Sequence, residues 1–205
     1  MSRKIRASNN QSYKEERLSL SDLILFILHT NKGVIEGRTT LQKLIYLANI
    51  KVGDKLINRP KFIPHYYGPY SYEVALTLDQ LVNLNFIDEY IKRTDGNNIG
   101  YIYKLSEDGK AIINNNKERY NIIQEEISSL LNLVKQYCHY KKNIDLIKLA
   151  EICKVHYINS MRGSDKYNNN KEDIVERGKM LGWEININNI DTIREFLKDF
   201  NEKRK

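Results

Sequence analysis

The sequence predicts a mainly α fold with a small β-hairpin: a winged helix-turn-helix followed by a helical C-terminal extension. Two observations predict it. Three segments with helical spacing of apolar residues precede two short alternating segments, and these flank a strong hairpin-turn sequence at 95–98. A further helical segment follows at Ser106. Three helices, a hairpin and another helix in this order indicate a winged helix, which is a variant of the helix-turn-helix.

The composition of the 205 residues predicts a globular cytoplasmic protein. Hydrophobic residues make up 41% of the chain, which is enough for a core. No apolar run approaches the roughly 18 residues that a membrane span needs, so we expect no membrane contact. The N-terminal residues are polar and charged, without the apolar core of a signal peptide. Two cysteines exclude a disulfide framework and suit a reducing compartment.

The net charge of +7 lies toward the two ends of the sequence. Residues 1–17 contain five basic and two acidic side chains and no apolar period, which predicts a flexible basic arm. Such an arm is either a solvated tail or a phosphate contact. Residues 18–110 contain eleven basic and ten acidic side chains and are almost neutral. Attraction to nucleic acid would therefore depend on the arm and on the predicted hairpin.

The first helix is predicted to begin after Ser19 or Ser21, since either serine can cap it. It runs to about Asn31 and is nearly all apolar on one side, which predicts a place in the core. Gly33 and Gly37 then bracket a predicted turn.

The second helix is predicted from a capping-box pattern, in which Thr39 is followed three residues later by Gln42. Its apolar spacing indicates one buried face. Two prolines argue against regular structure in the loop at 53–64. Ser71 can cap a third helix that ends near Asn85. In a helix-turn-helix this third helix is the one that enters the major groove of DNA.

The hairpin follows as a strand at 86–93 and a return strand at 100–105, which completes a winged-helix domain at 18–112. The extension at 113–205 continues a long helix predicted over 106–140, whose apolar stripe is too long for a small domain to cover. Either the C-terminal helices fold back on the stripe, or a second subunit covers it in a homodimer through this helix. Three shorter helices complete the extension, at 143–157, 171–183 and 191–203.

Two motifs resemble the YwgA-like family of prokaryotic proteins. One is Gly-Arg-Thr-Thr-Leu-Gln-Lys-Leu-Ile-Tyr-Leu at 37–47, and the other is Tyr-Tyr-Gly-Pro-Tyr-Ser-Tyr-Glu at 66–73. The resemblance covers about residues 18–112, and the segment at 178–183 looks like the end of such proteins. It implies a winged-helix fold. The same two motifs distantly resemble the Panacea domain of antitoxins, in which Gly-Pro-Val usually replaces Gly-Pro-Tyr-Ser.

DNA binding, as in transcription regulators, is the leading functional prediction. The third helix carries Glu73 and Asp79 and no Lys or Arg, which argues against base readout by that helix alone. Contacts to the phosphate backbone through the wing and the basic arm are therefore expected to dominate. The candidate nucleic-acid-binding residues are Lys92, Arg93 and Lys104 in the hairpin, Gln80 and Asn83 for bases, and Arg38 and Lys43 beside them.

A protein partner is the alternative prediction, as in an adaptor or an antitoxin-like module of a toxin–antitoxin or phage-defence system. Four tyrosines surround the Gly-Pro turn, which is too many for one core contact, so some must point outward. The candidate partner-binding residues are Tyr66, Tyr67, Tyr70 and Tyr72. The turn itself can alternatively be structural and simply set the third helix against the first two.

No enzyme, metal or cofactor is predicted. No nucleophile–base set and no glycine-rich phosphate loop is present. The nearest approach to a metal site is Cys138 and His139 with Cys153 and His156, whose spacing is not that of a zinc site. We expect the two cysteines to be partly buried and the two histidines to be near them only incidentally.

Overall fold

The computed structural model describes residues 17–93, 99–140, 143–161 and 170–202. The helices are α1 (Leu20–Thr30), α2 (Arg38–Val52), α3 (Tyr72–Asn83), α4 (Glu107–Asn115), α5 (Lys117–Tyr137), α6 (Leu146–Ser160), α7 (Lys171–Met180) and α8 (Ile190–Glu202). The strands are β1 (Val34–Glu36), β2 (Ile87–Arg93), β3 (Ile99–Leu105), β4 (His139–Tyr140) and β5 (Asn143–Ile144). The predicted mainly α fold with a small β-hairpin is confirmed. The predicted turn at 95–98, and the basic arm apart from Arg17, lie outside the described residues.

Serine side chains begin three of these helices. Ser19 caps α1 in a reciprocal capping box with Asp22. The Ser71 hydroxyl accepts the backbone N–H of Val74 at the start of α3, and Ser106 caps α4 in the same way. A hydroxyl three residues before an otherwise unpaired N–H satisfies one of the free donors at a helix start. These starts depend on local sequence, and they lie where the sequence predicts them.

The start of α2 differs from the prediction. The helix begins at Arg38 after Gly37, whose φ of 92° suits glycine, and no side chain caps it. The capping box predicted between Thr39 and Gln42 is therefore wrong. The Gln42 side chain instead bonds the backbone of Ser71, 29 residues further along the chain.

The sheet has three antiparallel strands in the order β1-β3-β2. The segment between Gly33 and Gly37, predicted as a turn, forms β1, with Val34 paired to Lys104. A three-residue strand has too short a pattern to be recognised, and it forms here because β3 offers it a pairing edge. The strand brings the end of α1 to the base of the hairpin.

The long helix predicted over 106–140 is two helices that meet at Asn116. The φ and ψ of Asn116 are −122° and 29°, and its amide donates to the carbonyl of Ile112 (2.8 Å). Asparagine competes in this way with the helical hydrogen bonds of the backbone. The buried stripe of α5 packs against α1, α2 and α8 of the same chain. The fold-back alternative is thus the one observed, and the stripe is not open to a second subunit.

Helix α2 lies at the centre of the molecule. Every residue at 40–49 is buried, and the helix packs against both α5 and α6. One continuous apolar core extends from α1 to α8. It includes residues on both sides of position 112, where the predicted winged-helix domain ends. Within the described ranges, no helix combines the length and apolar character needed to cross a membrane.

Candidate functional site

Two of the basic residues proposed for nucleic acid are held in ion pairs on the surface. Arg38 pairs with Asp79 of α3, and its Nε donates to the hydroxyl of Tyr103 (3.2 Å). Lys92 pairs with Glu36 of β1 at 3.1 Å. Each of these two cations is therefore already paired with an acid of its own chain, and a phosphate would have to compete with that acid.

Four further candidates for nucleic acid are exposed. Gln80 and Asn83 lie on the solvent side of α3, and Arg93 and Lys104 lie on the hairpin. Among the described residues, neither Arg93 nor Lys104 forms an ion pair with an acid. The set proposed from sequence is thus divided between α3 and the hairpin rather than gathered at one point.

Lys43, which the sequence places among the candidate nucleic-acid contacts, is not a surface residue. Its side chain is 1% exposed, since α5 and α6 enclose the helix. The ammonium donates to the carbonyl of Pro69 at 2.8 Å. A buried charge needs such a partner, and here the partner is the backbone of the Gly-Pro turn. Lys43 therefore holds that turn and does not reach a phosphate.

Gln42 holds the same turn from the next position of α2. Its amide nitrogen donates to the carbonyl of Ser71 (2.9 Å), and its amide oxygen accepts the N–H of Ser71 (3.1 Å). The Gln42 side chain thus pairs with both the backbone N–H and the backbone C=O of Ser71. This pairing brings the two motifs at 37–47 and 66–73 into direct contact.

A third anchor comes from the late segment at 178–183. The indole N–H of Trp183 donates to the carbonyl of His65 at 2.6 Å, and the indole is buried. It packs edge-on against Tyr157 of α6, with ring centroids 5.7 Å apart. We call residues His65 to Tyr72 the tyrosine turn, and all three segments that carry the resemblance to the YwgA-like family meet at it.

The backbone of the tyrosine turn is closely packed. Gly68 has a φ of 97°, and a Cβ at this position would lie 3.1 Å from Cγ of Lys154. Ile63 and Tyr70 exchange two backbone hydrogen bonds of 2.9 Å across the base of the turn. Glycine is required here both by the left-handed conformation and by the small space. The turn consequently has one well-defined backbone conformation.

The side chains of the tyrosine turn point outward. Tyr66 is 82% exposed and Tyr67 is 64% exposed. The rings of Tyr66, His65, Tyr70 and Tyr72 contact one another in that order, with centroids 5.0, 4.9 and 5.2 Å apart. Tyr70 is half-buried, and the other tyrosines are accessible. A rigid backbone therefore presents a continuous aromatic surface to solvent.

The solvent side of α3 extends this surface. Tyr72, Leu76, Gln80 and Asn83 follow at helical spacing and are exposed, and Leu84 continues the row after the helix. The row thus combines large apolar side chains at Tyr72, Leu76 and Leu84 with amides at Gln80 and Asn83, and it carries no cation. We refer to these five residues as the α3 stripe.

Sequence reasoning identified the tyrosines but missed the residues that hold them. Gln42 and Lys43 stand in a run of helix α2 that is otherwise mostly apolar, and this isolation is the signal that both are buried. Trp183 is the single tryptophan of the chain. Nothing in its local sequence indicates a partner 118 positions away.

Two of the cysteines and histidines that come nearest to a metal-binding spacing make other contacts. Nδ1 of His156 lies 2.8 Å from the hydroxyl of Tyr46, and the Cys153 thiol donates to the carbonyl of Lys43 at 3.8 Å. Burial raises the pKa of Cys153, so the thiol stays neutral. Over the parts of the chain that the structure describes, no three His, Cys, Asp or Glu residues are grouped as metal ligands.

The buried Lys43 makes stability depend on pH in a defined direction. Burial lowers its pKa from 10.5 to about 8. Between these two values the native chain has released the proton and the unfolded chain still binds it, so raising the pH stabilises the native state. Relative to a Lys43→Met variant, wild type should gain roughly 1 kcal/mol between pH 7 and pH 9.

Urea unfolding of both proteins at pH 7, 8 and 9 measures this difference. Ionisation of cysteines and tyrosines in the unfolded chain affects both proteins equally and cancels. A difference in free energy of unfolding that stays constant over this range would show that Lys43 titrates normally.

No family model matches the chain. The chain is 38% identical over 89 residues to a protein of Bacillus subtilis (strain 168) described as "Uncharacterized protein YwgA". The matched region is 43% of this chain, and the chain spans about half the length of the curated relative, 51% of it. This similarity supports a YwgA-like relationship.

Proposed function

We propose that this chain is a non-enzymatic winged-helix module that binds another protein through the tyrosine turn and the α3 stripe. The observation that carries the proposal is the triple anchoring of an exposed aromatic turn by Gln42, Lys43 and Trp183. A turn that is already rigid loses little conformational entropy on binding, and tyrosines supply large contact area with few rotatable bonds. These are the properties of a preorganised protein-contact surface.

The element order supports the winged helix. Helices α1, α2 and α3 precede the β2–β3 hairpin, and β1 adds to the hairpin between α1 and α2. In this arrangement α3 takes the place of the recognition helix and the hairpin takes the place of the wing. The proposed contact surface thus lies where related folds bind their ligands.

The charge of α3 favours a protein over nucleic acid. The helix carries Glu73 and Asp79 and no cation, and the nearby Arg38 is already paired with Asp79, so α3 offers phosphates no cation of its own. Burying its exposed side chains Tyr72 and Leu76 away from water is favourable, and the charged DNA backbone covers apolar side chains poorly. The complementary partner is a protein surface with apolar residues at its centre and Lys or Arg at its rim. An adaptor or an antitoxin-type regulator in the cytoplasm would make such contacts.

Nucleic-acid binding through the hairpin is the second candidate. It is favoured by Arg93 and Lys104, which are exposed on the hairpin, and by the net charge of +7. Such contacts would be to the phosphate backbone, with little selection among sequences. The affinity would fall steeply with salt concentration, because bound counterions are released.

Photo-crosslinking from the tyrosine turn tests the leading proposal. A benzophenone amino acid at Tyr67 in host cells should capture one defined protein, and the same group at Lys198 of α8 should not. The purified partner is then titrated calorimetrically with wild type and with the triple variant Tyr66→Ser, Tyr67→Ser and Leu76→Ser. We expect at least about a 30-fold loss of affinity, because exposed aromatic anchors dominate such interfaces.

The matched control is Ile147→Ser, which removes an exposed apolar side chain from α6. It should bind like wild type, and all variants should unfold at nearly the same temperature. Equal binding by the triple variant would refute the proposed surface. Salt-sensitive binding of random duplex DNA that is lost in Lys92→Ala, Arg93→Ala, Lys104→Ala would instead establish the second candidate.

A further inference from the structure

Strand β2 lies at the edge of the sheet, and half of its backbone groups point away from the sheet. In the part of the chain that the structure describes, pairing in the order β1-β3-β2 leaves the other side of β2 without a neighbouring strand. Gly37 donates its N–H to Tyr101, so the odd-numbered residues of β3 bond toward β1. Ser106 donates its N–H to Phe86, so the even-numbered residues face β2. Because bonding alternates along an antiparallel strand, the odd-numbered residues of β2 face the open edge.

Glu89, Ile91 and Arg93 are the odd-numbered residues along the exposed part of β2. Among the described residues, no backbone bond beyond those of the sheet itself reaches their N–H and C=O groups. Ile91 is 69% exposed, and it lies directly opposite Tyr101 of β3. An open edge of this kind is a template for a further strand.

The order of charges along β2 selects the strand that fits. Asp88 and Glu89 precede Lys92 and Arg93, so an antiparallel copy of the strand places acids opposite bases, whereas a parallel copy places like charges together. Lys92 is already paired with Glu36 in its own chain. The charged residues at the open edge are therefore Glu89, whose carboxylate also interacts with the Tyr103 hydroxyl of its own chain, and Arg93.

We propose that two copies of this chain associate by antiparallel pairing of their β2 strands, with Ile91 of one copy opposite Ile91 of the second copy. A two-fold axis perpendicular to the sheet requires the central residue to face its own counterpart. Centring on Ile91 places Glu89 of each copy opposite Arg93 of the other. Tyr101 and Ile91 of one copy then continue into Ile91 and Tyr101 of the second copy, which forms one apolar row across the two hairpins.

The alternative centre, Tyr90, fits the exposed side chains less well. It would place Ile91 opposite Glu89 and leave Arg93 opposite the buried Ile87. The proposed pairing uses no residue of the tyrosine turn, so it is independent of the protein-binding function. A short edge buries less surface than a stable dimer interface, and we therefore expect a weak dimer, with a Kd on the order of 100 µM.

Sedimentation velocity of the full chain at increasing concentration tests the pairing. Wild type should shift from monomer to dimer below about 1 mM. Ile91→Pro removes one outward N–H without breaking the bonds between β2 and β3, and it should stay monomeric. The matched control Ile91→Val keeps the N–H and should dimerise like wild type.

Exchange of charges tests the register and does not depend on the proline variant folding. Glu89→Arg alone and Arg93→Glu alone should each be monomeric, because each places like charges opposite one another. Mixing the two variants restores both ion pairs, so the mixture should dimerise. Monomeric wild type throughout, dimerisation of Ile91→Pro, or a monomeric mixture would each overturn the proposal.

Discussion

Trp183→Ala will lower the free energy of unfolding by about 3–5 kcal/mol, as deletion of a large buried aromatic side chain does. The indole is 1% exposed, contacts Tyr157 and bonds the carbonyl of His65. Its loss leaves a cavity under the tyrosine turn and removes a hydrogen bond to the carbonyl of His65, which also accepts the N–H of Gly68 (2.9 Å). Urea unfolding followed by far-ultraviolet circular dichroism measures the change.

Trp183→Phe separates the hydrogen bond from the packing. Phenylalanine keeps most of the apolar volume and lacks the N–H, so the cost should fall to about 1–3 kcal/mol. Amide hydrogen exchange at residues 65–72 should be faster in this variant, while exchange in α2 stays slow. Unchanged exchange in the tyrosine turn would mean that Trp183 packs against the turn without holding it.

Gly109→Ala will destabilise the fold by roughly 2–4 kcal/mol, although alanine is normally the better helix residue. A Cβ at this position of α4 would lie 2.2 Å from the carbonyl oxygen of Phe86 and 2.8 Å from Cδ1 of Leu105. The carbonyl cannot move freely, because it accepts the N–H of Ser106 at the base of the hairpin. The clash therefore acts on the backbone that connects α3, β2 and β3.

Asn114→Ala in the same helix is the control, since Asn114 is exposed. It should leave stability unchanged or raise it by a few tenths of a kcal/mol, because alanine has the higher helix propensity. Thermal unfolding of both variants beside wild type measures the contrast. A Gly109→Ala protein as stable as wild type would show that α4 can move away from Phe86 at little cost.

The contrast between α2 and α4 shows how far sequence reasoning reaches. Ser106 predicts the start of α4 because the cap and its N–H partner are three residues apart. Thr39 and Gln42 form an equally good local pattern, and it is not used, because Ser71 competes for the Gln42 amide. Local patterns therefore predict elements well where no distant residue offers a better partner.

The candidate site shows the same division. The tyrosines and the Gly-Pro turn are visible in the sequence, and so is the absence of cations from α3. The anchors are not, because Lys43, Gln42 and Trp183 reach the turn from 26, 29 and 118 positions away. The apolar period continues across Asn116, and only the backbone conformation changes there. The sequence pattern therefore does not indicate the break between α4 and α5.

Sequence alone predicts the mainly α class, the hairpin, the helix starts at Ser71 and Ser106, and a first helix capped by either Ser19 or Ser21. These features follow from interactions between residues that are close in sequence, and such interactions do not require the rest of the chain to be folded. Three other features arise only from contacts between distant elements: the burial of Lys43, the pairing of β1 with β3, and the covering of α5 by helices of the same chain. Each of these depends on burial by elements distant in sequence, and the free energy of burial is settled only when those elements meet.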